Sequence, residues 1–75
     1  MSPIAKYLET VRVVKNISLE ESARRSNTTA EIYLQREREP ERVPLYILAE
    51  MFDALDMTRE EFVEFSTLTS HHFRD

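Results

Sequence analysis

The chain has 75 residues, of which 41% are hydrophobic and 32% charged, with a formal charge of −4 and no cysteine. That size bounds it to one small domain burying about 60% of its unfolded surface, and the missing cysteine excludes disulfides, thiol nucleophiles and thiolate metal sites. Residues 1–42 carry eight Lys/Arg against seven Asp/Glu and residues 43–75 two against seven, so neither part is the basic patch that draws nucleic acid.

The residues read as helices throughout: Gly is absent, no stretch alternates over strand length, and several windows repeat at 3.6 residues. Ser2 and Pro3 are an N-cap and a first helical residue, after which Ile4, Leu8 and Val11 mark one face of a first helix ending at Asn16. "SLEE" is a capping box, Ser18 with Glu21, opening a second helix that runs to about Ser26. Asn27 tolerates the tight turn that follows, and Thr29 caps a third helix running through about Arg38. "EPERVP" is a loop, with Pro44 as the first residue of a fourth helix whose buried stripe is Leu45, Leu48, Met51, Phe52 and Leu55. Asp56 ends it, and Thr58 with Glu61 repeats the capping box ahead of a fifth helix. The domain spans 1–66; the tail, 67–75, lacks a clear pattern and is expected to fray. An initiator Met and a closed five-helix pattern suggest a complete gene product.

The run Arg12, Lys15, Ile17, Ser18, Leu19, Glu20, Glu21, Ala23, then Glu37, Leu45, Leu48, Leu55, Met57, Thr58, Glu61 and Phe62 resembles the Cro/CI-type (XRE) helix-turn-helix family. The register holds from about residue 8 to 63 without a gap. The resemblance implies an all-α, compact five-helix domain of lambda-repressor type, in which helices two and three form the helix-turn-helix and helix three lies in the major groove. It also implies a structural ion pair between Arg12 and Glu37, tying the first helix to the end of the third.

The departures from that pattern carry the functional reading. Asn16, Asn27, Asp56 and Glu39 stand where the family places turn glycines, and Glu39 fits least well. Ser22, Ser26 and Thr28 fall where Leu or Val is expected and Arg36 where Ile is, so the motif is weakly anchored. Carried over position by position, the DNA-facing side of helix three is Thr29, Ala30, Glu31, Ile32, Leu34 and Gln35, with Arg38 just beyond. Only Thr29 and Gln35 are neutral donors, only Arg38 is cationic, and Glu31 in the first turn repels a phosphate. Ile32 and Leu34 outward would suit a protein surface; a rotated helix would instead bury them and turn Tyr33 out.

Other features have plain readings. Arg24 and Arg25 read as solvated residues of helix two in preference to DNA-backbone contacts, and "QREREPER" as a solvated helix end. Phe62, Val63 and Phe65 complete the core or, with Leu68 and Phe73, make a dimer contact, the core being favoured. His71 and His72 are adjacent and do not share a helix face, so a metal site is not expected. With no phosphate loop, paired nucleophile and base, or cofactor motif, the expectation is a non-enzymatic regulator without cofactors.

Two functions follow. In the first, helix three holds a DNA-binding repressor protein and blocks it, as an antirepressor in a phage or mobile-element switch, the acidic surface complementing a basic reading face. In the second, the chain binds operator DNA directly as a dimeric repressor. The reading positions favour the first. Either implies a protein of the bacterial host cytoplasm, with no apolar run long enough for a membrane span and no export signal.

Overall fold

The computed structural model describes the backbone of residues 1–73 and the side chains of residues 1–69. Five α-helices follow in order: α1 Pro3–Val14, α2 Leu19–Arg25, α3 Ala30–Arg38, α4 Leu45–Ala54 and α5 Arg59–Phe73, with a 3-10 turn over Pro40–Arg42. No strand occurs among the described residues. Four of the five helix starts are fixed by side chains that accept otherwise orphaned amides. Ser2 accepts from the Ala5 amide at 3.2 Å, Ser18 from Glu21 at 3.0 Å, Thr29 from Ile32 at 3.2 Å and Thr58 from Glu61 at 3.1 Å. The Thr58 box closes both ways, since the Thr58 amide donates to Glu61 Oε1 at 2.9 Å. The Ser18 box closes one way only, because the Glu21 carboxylate is taken by Arg24 and Arg25. Pro44 is the N-cap of α4, with an extended ψ of 151°, and the helix proper starts one residue later than expected.

Three turns use the left-handed conformation without glycine: Asn16 at φ 61°, Asn27 at 57° and Asp56 at 49°. Glu39 does not need it. Its φ is −134°, and Pro40 then starts the 3-10 turn, so the chain leaves α3 by an extended residue.

Ile4, Leu8 and Val11 of α1 meet Ala23, Tyr33, Met51, Leu55 and Phe65 in one core. α1 lies against α3 and α5, and α2 against α3 and α4. Three apolar residues expected inside are not there. Leu45 is 79% exposed, Phe62 50% and Val63 54%. Leu45 opens α4 before the helix reaches the core. Phe65 and Phe62 both set an edge against Phe52, at centroid distances of 5.0 and 5.6 Å, but Phe65 lies on the core side and Phe62 is left at the rim. α5 also runs well past residue 66. The Thr67 and Thr69 hydroxyls donate to the carbonyls one turn back, Val63 and Phe65, at 3.0 and 2.9 Å, and Leu68 packs partly against the core. The side chains of His71 and His72, where no metal site is expected, and of Phe73, named with Leu68 for a dimer contact, lie outside the described residues. No helix among the described residues is long and apolar enough to cross a membrane.

A polar layer inside the fold sets the angle of α3. Arg12 Nε and Nη2 donate to the two oxygens of Glu37 at 2.8 and 3.3 Å, and Nη1 to the Ile17 carbonyl at 3.1 Å. Beside this pair, Tyr33 and Ser22 are buried, and neither hydroxyl has a hydrogen-bond partner at bonding geometry among the described residues. Burial pushes the Tyr33 phenol up to about 12, with the Glu37 carboxylate adding to the rise and the neighbouring Ser22 hydroxyl and Arg12 opposing it. The ring fills the core while its hydroxyl is poorly satisfied. Tyr33→Phe is therefore expected to be neutral or to stabilise by up to about 1 kcal/mol, read from the urea midpoint, whereas Tyr33→Ala should cost roughly 3–5 kcal/mol.

Candidate functional site

The position of Tyr33 decides which way α3 faces. Tyr33 and Glu37, four residues apart, are both buried and define its inner side. At 100° per residue, measured from the middle of that side, Gln35 falls opposite at about 180°, Glu31 at about 140°, Arg38 and Ile32 at about 120° in opposite senses, and Leu34 at about 80°. The exposures agree: Glu31, Gln35 and Arg38 are exposed, Ile32 is 42% exposed, and Leu34 and Ala30 are half-buried. The outward side of α3 is thus a polar ridge, Glu31–Gln35–Arg38, with one apolar shoulder at Ile32. It is narrower in apolar surface than the sequence suggested, because Leu34 turns only partly outward. Thr29 is exposed at the N-cap, its oxygen engaged by the Ile32 amide.

Near this ridge the two arginines of α2 are matched by carboxylates, whereas Arg36 and Arg38 of α3 have no ion pair among the described residues. Arg24 and Arg25 of α2 both bond Glu21, holding its carboxyl down at about 2, and the same contact raises the pKa of Arg24. Arg25 is not simply solvated: it also donates to the Ala54 carbonyl at 2.9 Å and lies 3.6 Å from Asp56, so it tethers α2 to the end of α4. Ser22 and Ser26 take the buried positions where larger apolar residues were expected, and the Ser26 hydroxyl is satisfied by the Ser22 carbonyl at 2.7 Å. Thr28 and Arg36 are half-buried.

The fold adds residues that no local pattern could connect. Gln35 and Arg38 line an open cleft of about 690 Å³ together with Met1, Ser2, Glu39 and Glu41. The N-terminus and the residues after α3 are far apart in sequence, and the packing of α1 on α3 and on the 3-10 turn, with Ser2 Oγ donating to Glu41 Oε1 at 3.4 Å, joins them. The lining of this cleft carries the Arg38 guanidinium and the chain's α-ammonium at Met1 together with the Glu39 and Glu41 carboxylates, Glu39 lying 4.0 Å from Arg42 and Glu41 accepting from Ser2 Oγ, so it offers mixed charge. Among the described residues no group of three His, Cys, Asp or Glu is placed to hold a metal ion. No protein-family model, characterised protein or solved structure matches the chain.

Proposed function

We propose that the chain is a small, non-enzymatic transcription regulator with a helix-turn-helix fold of the Cro/CI type, in which α2 and α3 form the motif. Its α3 surface holds a DNA-binding repressor protein and blocks it. The observation that carries this reading is the pairing of charges around α3. Arg24 and Arg25 are committed to Glu21, Ala54 and Asp56, Arg38 shares its cleft with Glu39 and Glu41, and Glu31 stands exposed in the first turn. A duplex approaching α3 meets few uncommitted cations, and each phosphate contact forgone removes a share of the electrostatic term that dominates nucleic-acid affinity. A basic protein surface meets complementary charge, with Ile32 as an apolar anchor.

The test is a gel shift with a repressor encoded beside this chain, using that repressor's operator. The chain should move no operator fragment by itself and should release the bound repressor. Ile32→Asp should abolish release while leaving the circular-dichroism melting curve unchanged, because the side chain is 42% exposed and outside the core. A specific shift by the chain alone, steeply weakened by salt and lost in Gln35→Ala or Arg38→Ala, would instead establish direct operator binding as a repressor. The exposure of both residues on one ridge is what favours that second reading.

A further inference from the structure

The apolar core is unevenly shared among the helices. α1 buries Ile4, Leu8 and Val11, α4 and the residue after it bury Met51 and Leu55, and α5 buries Phe65. α2 and α3 bury only Ser22, Ala23, Tyr33 and Glu37, with Ser26 at the cap of α2, and Leu19 and Leu34 are half-buried. One large ring thus anchors both helices. What else joins them to the domain is polar and contributes little net. The Tyr33 and Ser22 hydroxyls are buried without a partner at bonding geometry among the described residues, and each weakens the closed packing relative to a state in which water reaches it. Arg12 and Glu37 hold α3 to α1 through an ion pair whose desolvation offsets its attraction. Arg25 ties α2 to the end of α4 by one hydrogen bond, to the Ala54 carbonyl, and a surface approach to Asp56.

The other three helices are fastened to one another without them. Lys15 joins α1 to the Leu55 and Asp56 carbonyls and to Glu61, each at 2.7 Å. Phe52 of α4 sets its ring against Phe62 and Phe65 of α5. Leu8, Val11, Met51, Leu55 and Phe65 share one cluster. None of these contacts passes through α2 or α3. The segment between them also begins and ends where the backbone leaves the helical region, at Ser18 with ψ 162° and Glu39 with φ −134°. Helical pairs of this kind commonly open as units, at a free energy below that of global unfolding. We propose that α2 and α3, residues 19–38, open together while α1, α4 and α5 stay packed. The Glu31–Gln35–Arg38 ridge exists only in the closed form, so a ligand of that ridge binds against the opening and holds the unit shut.

Native-state amide hydrogen exchange of the full chain, followed by NMR at urea concentrations below the unfolding transition, tests this. The Thr28 and Tyr33 amides donate to the Ala23 and Thr29 carbonyls, each at 2.9 Å, inside the unit. Their protection should be about tenfold or more below that of the slowest amides of α1 and α4, with a smaller dependence on urea, because less surface is exposed when only the unit opens. Lys15→Met loosens α1, α4 and α5 in the closed and the open form alike. It should speed the slowest α1 and α4 amides by about tenfold or more, and Thr28 and Tyr33 by a clearly smaller factor. Protection of Thr28 and Tyr33 equal to or above that of α1 and α4 would overturn the proposal. So would equal acceleration of both sets in Lys15→Met, since the domain would then open only as a whole. Different urea dependences for the amides of α2 and of α3 would also overturn it, because the two helices would not open as one.

Discussion

Arg12→Ala is expected to cost about 3–5 kcal/mol, because it strands the Glu37 carboxylate, whose side chain is 2% exposed, without its cation. A 75-residue domain has a total stability of roughly 4–11 kcal/mol, so this one truncation removes a large fraction of it. The loss has two parts. The guanidinium supplies both hydrogen bonds to Glu37 and a third to the Ile17 carbonyl, so its removal leaves three acceptors short of a donor and unpins α1 from the end of α3. The pair itself contributes little net stability, since the desolvation of two charges offsets their attraction. Arg12→Met combined with Glu37→Leu should accordingly recover most of what Arg12→Ala loses. Urea denaturation of the two variants checks both statements. A cost below about 1 kcal/mol for Arg12→Ala would mean that water or another donor reaches Glu37 and that the pair is not a buried one.

Lys15→Met is expected to cost about 2–3 kcal/mol and to flatten the acid limb of the stability curve. The Lys15 ammonium uses all three donors: it bonds the Leu55 carbonyl, the Asp56 carbonyl and Glu61 Oε1, each at 2.7 Å. It thereby caps the negative end of α4 from α1 and fixes the first turn of α5. Lys15 is also the main reason that the Glu61 carboxyl is held below its ordinary 4.5, the Thr58 amide and hydroxyl adding to the effect and burial opposing it. A carboxyl with a lower pKa in the folded state stabilises fully above its unfolded value, so this contribution is complete above about pH 4.5 and is lost as pH falls through the lower folded value. Stability measured from pH 7 down to pH 3 should therefore fall less steeply in Lys15→Met than in the parent. It should not become flat, because Glu21, held at about 2 by Arg24 and Arg25, titrates with the same sign. An unchanged slope would remove Lys15 as the cause of the Glu61 shift.

How far the sequence could be read follows from which forces are local. Ser2, Ser18, Thr29 and Thr58 act on amides three residues away, and Asn16, Asn27 and Asp56 on their own backbone, so helix starts and turns were legible without a tertiary structure. The direction of α3 was legible in part. The family resemblance put Ile32 and Leu34 outward, yet both lie next to Tyr33 and only Ile32 of the two remains exposed, because neighbouring helices settle which flank of α3 is covered. Leu45, Phe62 and Val63 could not be assigned from spacing at all: they sit on apolar stripes that continue beyond the area the core can cover. Spacing equally hid the cleft that brings Met1 and Ser2 beside Gln35 and Arg38. Arg25 looked solvated because its acceptor, the Ala54 carbonyl, is a backbone atom on another helix.

The glycine-free turns also bear on the disordered ensemble. A left-handed residue with a Cβ costs the native fold roughly 1–2 kcal/mol of steric energy, least for Asn and Asp. Yet Asn16, Asn27 and Asp56 wander over less conformational space when the chain is denatured than glycines would, and that narrowing offsets part of the steric cost. The net cost of each glycine-free turn is thus smaller than its steric penalty alone, which matters in a domain too small to hold a large reserve.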